Sequence, residues 1–283
     1  MPELPEVETI ARGLAKRIAG DAIESVWLGA KPEPLKSSAS EIAAALEGRR
    51  ILDVRRVGKH IVFDLEGNQN GAAKSRAQWI VHLGMTGSLL ICPAESELQK
   101  HTHAVLQLAS GRELRFVDPR RFGRLSVIEK FEAPGSEPLE IDFKQFAALF
   151  HGRKTPIKSA LLNQKLLSGV GNIYADEALF RAGIRSRRRA ASLTRYELKR
   201  LHSSLKRVLK EAIRLGGSSI SDYVDSSGEE GFFQLKHRVY GREGEPCLVC
   251  KTPIKRIVIA GRSSHYCPHC QTQRRDIGKP ANR

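Results

Sequence analysis

The chain reads as an α+β protein of several units: an N-terminal β-sandwich with flanking helices, a helical middle, and a small C-terminal hairpin clamped by cysteines. Three observations predict this. Short β-like runs separated by turn-rich pieces fill residues 22–130. Helical periodicity takes over after residues 131–140, FEAPGSEPLE, whose two prolines and one glycine mark a linker. Four of the five cysteines form two Cys-x2-Cys pairs close to the end.

The elements follow in order. Leu4, Val7, Ile10, Leu14 and Ile18 recur at helical spacing, which predicts a helix over residues 4–18 with Gly20 as its stop. Strands are expected at Ile23–Leu28, Ile51–Val57, His60–Leu65, Trp79–Leu83, Ser88–Ile91, Ala104–Leu108, Glu113–Val117 and Arg124–Ile128, with a short helix at Ser40–Glu47. Cys92, after the apolar run Leu89–Ile91, is read as a half-buried bystander. Beyond the linker, Phe143–Phe150 is a helix candidate. Thr155-Pro156 suggests an N-cap followed by proline at the first helical position, for a helix to about Leu167. Ser168-Gly169-Val170-Gly171 breaks it, and Asn172 is expected to cap a helix over Ile173–Ala182. A longer helix spans about Thr194–Leu215, burying Leu198, Leu201, Leu205, Val208, Leu209 and Ile213, and Gly216-Gly217 ends it. The Gly/Ser-rich residues 216–236 are expected to be a mobile loop or a linker.

The charge balance points to a polyanion. Of 283 residues, 47 are Lys or Arg and 31 Asp or Glu, a formal net charge of +16. Such a surface neutralises phosphates and releases their condensed counterions, so nucleic acid is the expected partner. No run of about 18 apolar residues exists to span a membrane. The leading MPELPEVETIARG has neither the apolar core of a secretory signal nor the composition of a transit peptide. A soluble, cytoplasmic monomer with no membrane association is expected.

Cys247-x2-Cys250 and Cys267-x2-Cys270 are separated by sixteen residues. Two such knuckles supply four thiolates in a tetrahedron, which suits one zinc ion with no open position, hence a structural metal. Ile254–Ala260 and Ser263–Tyr266 flank Gly261-Arg262 as a hairpin, placing Arg262 at its tip as a probe for phosphate or a groove, or as a solvated turn residue.

Met1-Pro2 is the remaining signal. Removal of the methionine leaves Pro2 as a secondary amine, and an α-amino group titrates about two units below lysine, so more of it is nucleophilic at pH 7. Its adduct with an aldehyde-like sugar carbon is an iminium ion, an electron sink, with Glu3 and Glu6 at hand for acid–base work. Taken alone, the pattern reads more readily as a helix lead-in whose acids suit the helix dipole.

The string Pro2-Glu3-Leu4-Pro5-Glu6-Val7-Glu8-Thr9 resembles the opening of formamidopyrimidine-DNA glycosylases. Further matches follow in that family's order: Arg55-Arg56-Val57-Gly58-Lys59-His60, His82-Leu83-Gly84-Met85-Thr86-Gly87-Ser88-Leu89, Asp118-Pro119-Arg120-Arg121-Phe122-Gly123, Gly169-Val170-Gly171-Asn172-Ile173-Tyr174-Ala175 and Tyr240-Gly241-Arg242. Together they cover almost the whole chain.

The resemblance implies a bifunctional glycosylase and abasic-site lyase that excises oxidised purines from damaged double-stranded DNA. It implies Pro2 as the Schiff-base nucleophile at C1′, Glu3 as the acid that protonates the sugar, Lys59 as an aid to β-elimination, and Arg262 in phosphate binding and δ-elimination. Met85, Arg120 and Phe122 match side chains that fill the gap left by an everted nucleotide. His101, Arg120 and Lys154 match DNA contacts, and Asn172 sits where backbone N–H groups hold phosphate. Without the match, Lys59 reads as a solvated strand lysine, Phe122 as a core aromatic and Asn172 as a cap. The implied domains are a sandwich at 1–135, a helix–two-turn–helix domain with a lesion-recognition loop at 136–236, a zinc finger at 237–273 and a tail at 274–283. Residues 216–233 correspond to the family's variable recognition loop. The polar Asn68–Arg76 stretch looks longer than the family's usual connection and is expected to be a surface loop. Two rivals stand beside this reading: the endonuclease VIII branch, which prefers oxidised pyrimidines, and a non-catalytic zinc-ribbon nucleic-acid-binding protein. The Leu4–Thr9 string and Arg120-Arg121-Phe122 favour the purine branch.

Overall fold

A computed structural model describes residues 1–66, 77–219 and 223–271. The chain divides into two compact units, Met1–Ala133 with Ala212–Gln234, and Pro134–Glu211 with the chain from Leu235 onward. The Asn68–Arg76 stretch, the 274–283 tail and part of the recognition loop lie outside the described residues. No helix among the described residues is long and apolar enough to cross a membrane.

The first unit opens with α1 (Leu4–Ile18), whose Leu4, Val7, Ile10, Leu14 and Ile18 are buried as the periodicity predicts. Eight strands follow: β1 (Ile23–Leu28), β2 (Ile51–Val57), β3 (His60–Leu65), β4 (Ala77–His82), β5 (Ser88–Pro93), β6 (Thr102–Leu108), β7 (Arg112–Val117) and β8 (Arg124–Ile128), with α2 (Ala39–Leu46) between the first two. They form two antiparallel four-stranded sheets, ordered β1-β6-β7-β5 and β2-β3-β4-β8. Leu106, Leu114 and Phe116 of one sheet and Ile61, Phe63 and Val81 of the other share a core with α1. Each such side chain contributes about 1.5–3 kcal/mol on burial, which is the sandwich's main source of stability. Ser38 caps α2 by accepting from Glu41 N at 3.2 Å.

The 212–234 segment belongs to this unit because it is bonded to α1. Ser218 N donates to Glu6 Oε1 at 2.8 Å, and the Tyr223 hydroxyl donates to Glu6 O at 3.4 Å. Grouping by packing thus differs here from the order of segments along the sequence.

The second unit contains α3 (Phe143–Ala148), α4 (Ile157–Leu161), α5 (Asn172–Arg181) and all but the last three residues of α6 (Arg195–Arg214), then the hairpin β9 (Lys255–Ile259) and β10 (Arg262–Tyr266). Two sequence expectations are corrected here. Pro156 is the N-cap of α4 and not its first helical residue, and the helix stops at Leu161 instead of reaching Leu167. Asn163 takes the chain out of the helix: its Oδ1 accepts from Lys165 N at 3.0 Å while its carbonyl accepts from Leu166 N and Leu167 N. Gln164 then bridges Val170 O and Gly169 N and holds the break. The hairpin turn is Ala260-Gly261, both at positive φ, and Arg262 begins β10 opposite Ile259. Two successive positive φ values are what a tight two-residue hairpin turn needs, so the turn lies one residue earlier than expected.

Candidate active site and nucleic-acid interface

In the first unit Pro2 is buried immediately ahead of α1. Glu3 and Glu6 are only 4% and 2% exposed. Glu6 is the organiser: its Oε2 accepts from Glu3 N and its Oε1 from Ser218 N, both at 2.8 Å. One carboxylate therefore fixes the turn that carries Pro2 and the start of the 216–233 segment together. Gly217 at φ +85 leaves no room for a side chain, since a Cβ there would lie 2.9 Å from Glu6 Oε1.

Lys59 occupies the turn between β2 and β3, where Gly58 takes φ 63. The turn is tied to α1. Glu8 accepts from Arg56 Nε at 2.7 Å, and Arg56 Nη1 donates to Gly58 O at 3.1 Å. Arg56 is largely buried, so this bond is far less screened than a surface ion pair. Pro2, Glu3 and Lys59 thus rest on one rigid platform.

Beside Lys59 lie two imidazoles, His60 and His82, tilted at 54° to each other with ring centroids 4.9 Å apart. Burial, then the charges of His60, Arg124 and Lys59, pushes His82 down to about 4 from 6.5. Burial lowers His60 as well. Neutral His82 accepts from Gly84 N at Nδ1, 3.1 Å away, and so anchors the loop that bears Met85. Unfolded, His82 takes a proton near pH 6.5; folded, near pH 4. The unfolded chain therefore holds more protons between these values, and stability falls as pH drops through that window. Replacing His82 with Gln is expected to remove on the order of 2 kcal/mol of that acid sensitivity, measured as the difference in unfolding free energy between pH 7 and pH 4.5.

The expected wedge residues come together. Met85 and Phe122 are 42% and 50% exposed despite their apolar side chains, and Arg120 lies 4.7 Å over the Phe122 ring. Their loops are joined by Asp118, fully buried and not singled out from the sequence. It accepts from Thr86 Oγ1 at 2.6 Å and from Gly123 N at 2.7 Å. Asp118 N donates to the carbonyl of His101, an exposed residue at φ 70, which brings the fourth expected DNA contact to the same cluster. Gly84, at φ +65, touches Phe122 so closely that a Cβ would lie 2.5 Å from its carbonyl carbon. Gly84→Ala is expected to cost about 1–3 kcal/mol and to slow lesion excision about tenfold or more, read by thermal melting and single-turnover assay.

In the second unit, Asn172 and Arg262 are brought together, while Lys154 stands exposed on the α3–α4 connection. The cap of α5 is Gly171, and Asn172 is the first helical residue with no capping bond, which corrects the sequence reading. Its amide donates instead to Ser263 Oγ at 3.2 Å, one residue from exposed Arg262. Beneath them is a buried ion pair, Lys158 Nζ to Asp176 Oδ1 at 2.7 Å. Lys158 also donates to Ser263 O, and Asp176 accepts from Ser264 Oγ and His265 N. This pair welds β10 to α4 and α5. Glu177, also buried, accepts at Oε1 from the successive backbone N–H groups of Arg238, Val239 and Tyr240, while burial raises its pKa.

Cys247, Cys250, Cys267 and Cys270 bring their sulfurs within 4.8 Å of one another. Cys247 and Cys270 are 3.9 Å apart, Cys250 and Cys267 3.4 Å. Tetrahedral zinc with bonds of about 2.3 Å sets its sulfurs ~3.8 Å apart, so the cluster fits one zinc ion with every position filled, a structural site.

Comparison with known proteins gives three family matches along the chain: the formamidopyrimidine-DNA glycosylase N-terminal domain over residues 1–125, the formamidopyrimidine-DNA glycosylase H2TH domain over 134–224, and the zinc finger found in FPG and IleRS over 244–273. A formamidopyrimidine-DNA glycosylase of Solibacter usitatus (strain Ellin6076) is 48% identical, across 96% of this chain and 99% of that protein. The crystal structure of a Lactococcus lactis FPG mutant in complex with Fapy-dG containing DNA is 33% identical, covers 96% of this chain and 100% of that one, and superposes with a TM-score of 0.85. A MutM in complex with carbocyclic 8-oxo-G containing DNA gives the same identity, coverage and TM-score.

Proposed function

The chain belongs to the formamidopyrimidine-DNA glycosylase family, and on that premise we propose that it is a bifunctional glycosylase and abasic-site lyase for oxidised purines, 8-oxoguanine and formamidopyrimidines, in double-stranded DNA. The observation that carries this reading is the buried Pro2–Glu3 pair at the head of α1, held by Glu6 on the same platform as Lys59. Two relatives with solved structures in complex with DNA containing Fapy-dG and carbocyclic 8-oxo-G support the purine substrate.

With Met1 in place the Pro2 nitrogen is an amide; its removal frees a secondary amine at the positive end of the α1 dipole. That field disfavours the ammonium form and keeps the nitrogen nucleophilic. The nitrogen attacks C1′, the glycosidic bond breaks, and the base leaves. Glu3 protonates the sugar ring oxygen as the ring opens. The iminium so formed acidifies C2′, Lys59 assists loss of the 3′ phosphate by β-elimination, and Arg262 holds phosphate for δ-elimination. Met85, Arg120 and Phe122 occupy the gap in the duplex, and His101, Lys154 and Asn172 contact the backbone. The zinc ion supplies no chemistry; it sets the hairpin that presents Arg262. We keep 1–135, 136–236 and 237–273 as the functional segments, and place a monomer on chromosomal DNA in the cytoplasm.

Excision measured on duplexes carrying 8-oxoguanine opposite cytosine and thymine glycol opposite adenine tests the substrate class. The purine lesion is expected to be removed at least about tenfold faster per encounter. The reverse order would assign the chain an oxidised-pyrimidine specificity.

A further inference from the structure

We propose that the outer face of α6 is a second phosphate track, which holds duplex DNA beyond the lesion; the inference rests on the glycosylase reading for its partner. The helix carries seven basic and two acidic residues. At about 100° per residue, Arg195, Lys199, Lys206, Arg207 and Lys210 fall within an arc of ~120°, opposite the buried Leu201, Leu205 and Val208. Both acids are turned away from that arc and consumed. Glu197 pairs with Arg188 at 2.5 Å and Glu211 with Arg181 at 2.6 Å. Lys199, Lys206, Arg207 and Lys210 have no ion pair among the described residues.

A face kept only for solubility mixes signs, and i,i+4 pairs of opposite charge stabilise it. Here the i,i+4 neighbours Arg195/Lys199 and Lys206/Lys210 are alike, an arrangement that weakens a helix in isolation and is offset when a polyanion binds. The track is also continuous with an expected DNA contact. Ala190 N and Ala191 N donate to the carbonyls of Thr155 and Arg153, which flank Lys154. Arg187 and Arg189, both exposed, bracket the Arg188 that is tied to the first turn of α6. Cations thus lead from Lys154 through this segment onto the helix. Lys199 to Lys210 spans about 16 Å of rise, or roughly five base-pair steps.

The test is a triple variant, Lys199→Gln, Lys206→Gln and Lys210→Gln, beside a Lys→Arg triple at the same positions. On lesion-free 40-base-pair duplex, the Gln variant is expected to lose about 2–3 from the slope of log affinity against log salt, at ~0.9 per phosphate contact, and about tenfold or more in affinity. The Arg triple is expected to keep both. Excision from a 12-base-pair duplex with a central 8-oxoguanine should be unchanged in either. An unchanged slope overturns the proposal, and so does an equal loss on short and long duplexes. A retained slope with lost binding to polyglutamate would assign the face to an acidic protein segment instead. The slope is read without a lesion, so it stands or falls independently of the excision chemistry.

Discussion

Protein that carries one extra residue ahead of Pro2 is expected to bind abasic-site duplex within a few-fold of the processed form and to lose strand cleavage by about a thousandfold or more. The reason is chemical before it is structural. An acylated proline nitrogen has its lone pair in the amide and cannot form a bond to C1′, whereas the phosphate contacts proposed for Lys154, Asn172 and Arg262 do not involve it. Borohydride reduction reads the difference directly: the processed enzyme is trapped covalently on abasic DNA and the extended one is not. Pro2→Gly separates nucleophile from ring, because a primary amine at the same place still forms an imine, with a proton to lose. It should trap weakly and cleave slowly while binding normally. Cleavage at the normal rate by the extended protein would remove Pro2 from the mechanism.

Loss of zinc is expected to be nearly as damaging, through binding and not through chemistry. Structural zinc contributes about 10–16 kcal/mol of apparent binding free energy to small cysteine-clamped units, and the apolar core around these cysteines is small. It consists of Phe180, Val239 and Ile254 packed around the cysteines. Cys267→Ala should release the metal and take the 255–266 hairpin out of register. Ser263 O, Ser264 Oγ and His265 N then leave the buried Lys158–Asp176 pair, and stripping partners from a buried charge pair costs several kcal/mol. Affinity for abasic duplex is expected to fall about a hundredfold or more, with zinc content measured alongside. Metal-free protein that binds DNA as tightly as the zinc-loaded form would show that the hairpin does not present Arg262 to phosphate.

What the sequence reveals of this fold is what repeats locally. The α1 stripe, the eight strands and the α6 stripe are all legible because period 3.6 and period 2 sort their residues without reference to any partner. The α4 end was hidden because Asn163 and Gln164 read as ordinary helix residues until their side chains find Lys165 N, Gly169 N and Val170 O. Asn172 looks like a cap for the same reason that any asparagine before an apolar run does; Ser263, ninety-one residues away, takes its amide instead. The site shows the same division. Pro2, Glu3, Lys59 and the expected wedge trio follow from motifs; Glu6 and Asp118 stand in the same strings, but the strings do not show that they hold the others in place. Asp118, Glu6 and Lys158–Asp176 act through partners as distant in sequence as 32, 212 and 105 residues. One available signal for the last pair was a double acid, Asp176-Glu177, inside an otherwise apolar stretch of α5, which only a buried partner can justify.

The contact of Gly84 with the Phe122 carbonyl also bears on how such a protein can change. The backbone of one loop is the ceiling of the other, with Gly123 pressed in turn against Phe116. Neither tip can acquire bulk or shift its path alone. Selection for altered handling of the unpaired base opposite the lesion should therefore return coupled substitutions, one in 84–87 and one in 118–123, and single changes at either tip should be purged even when their new side chain would stack well.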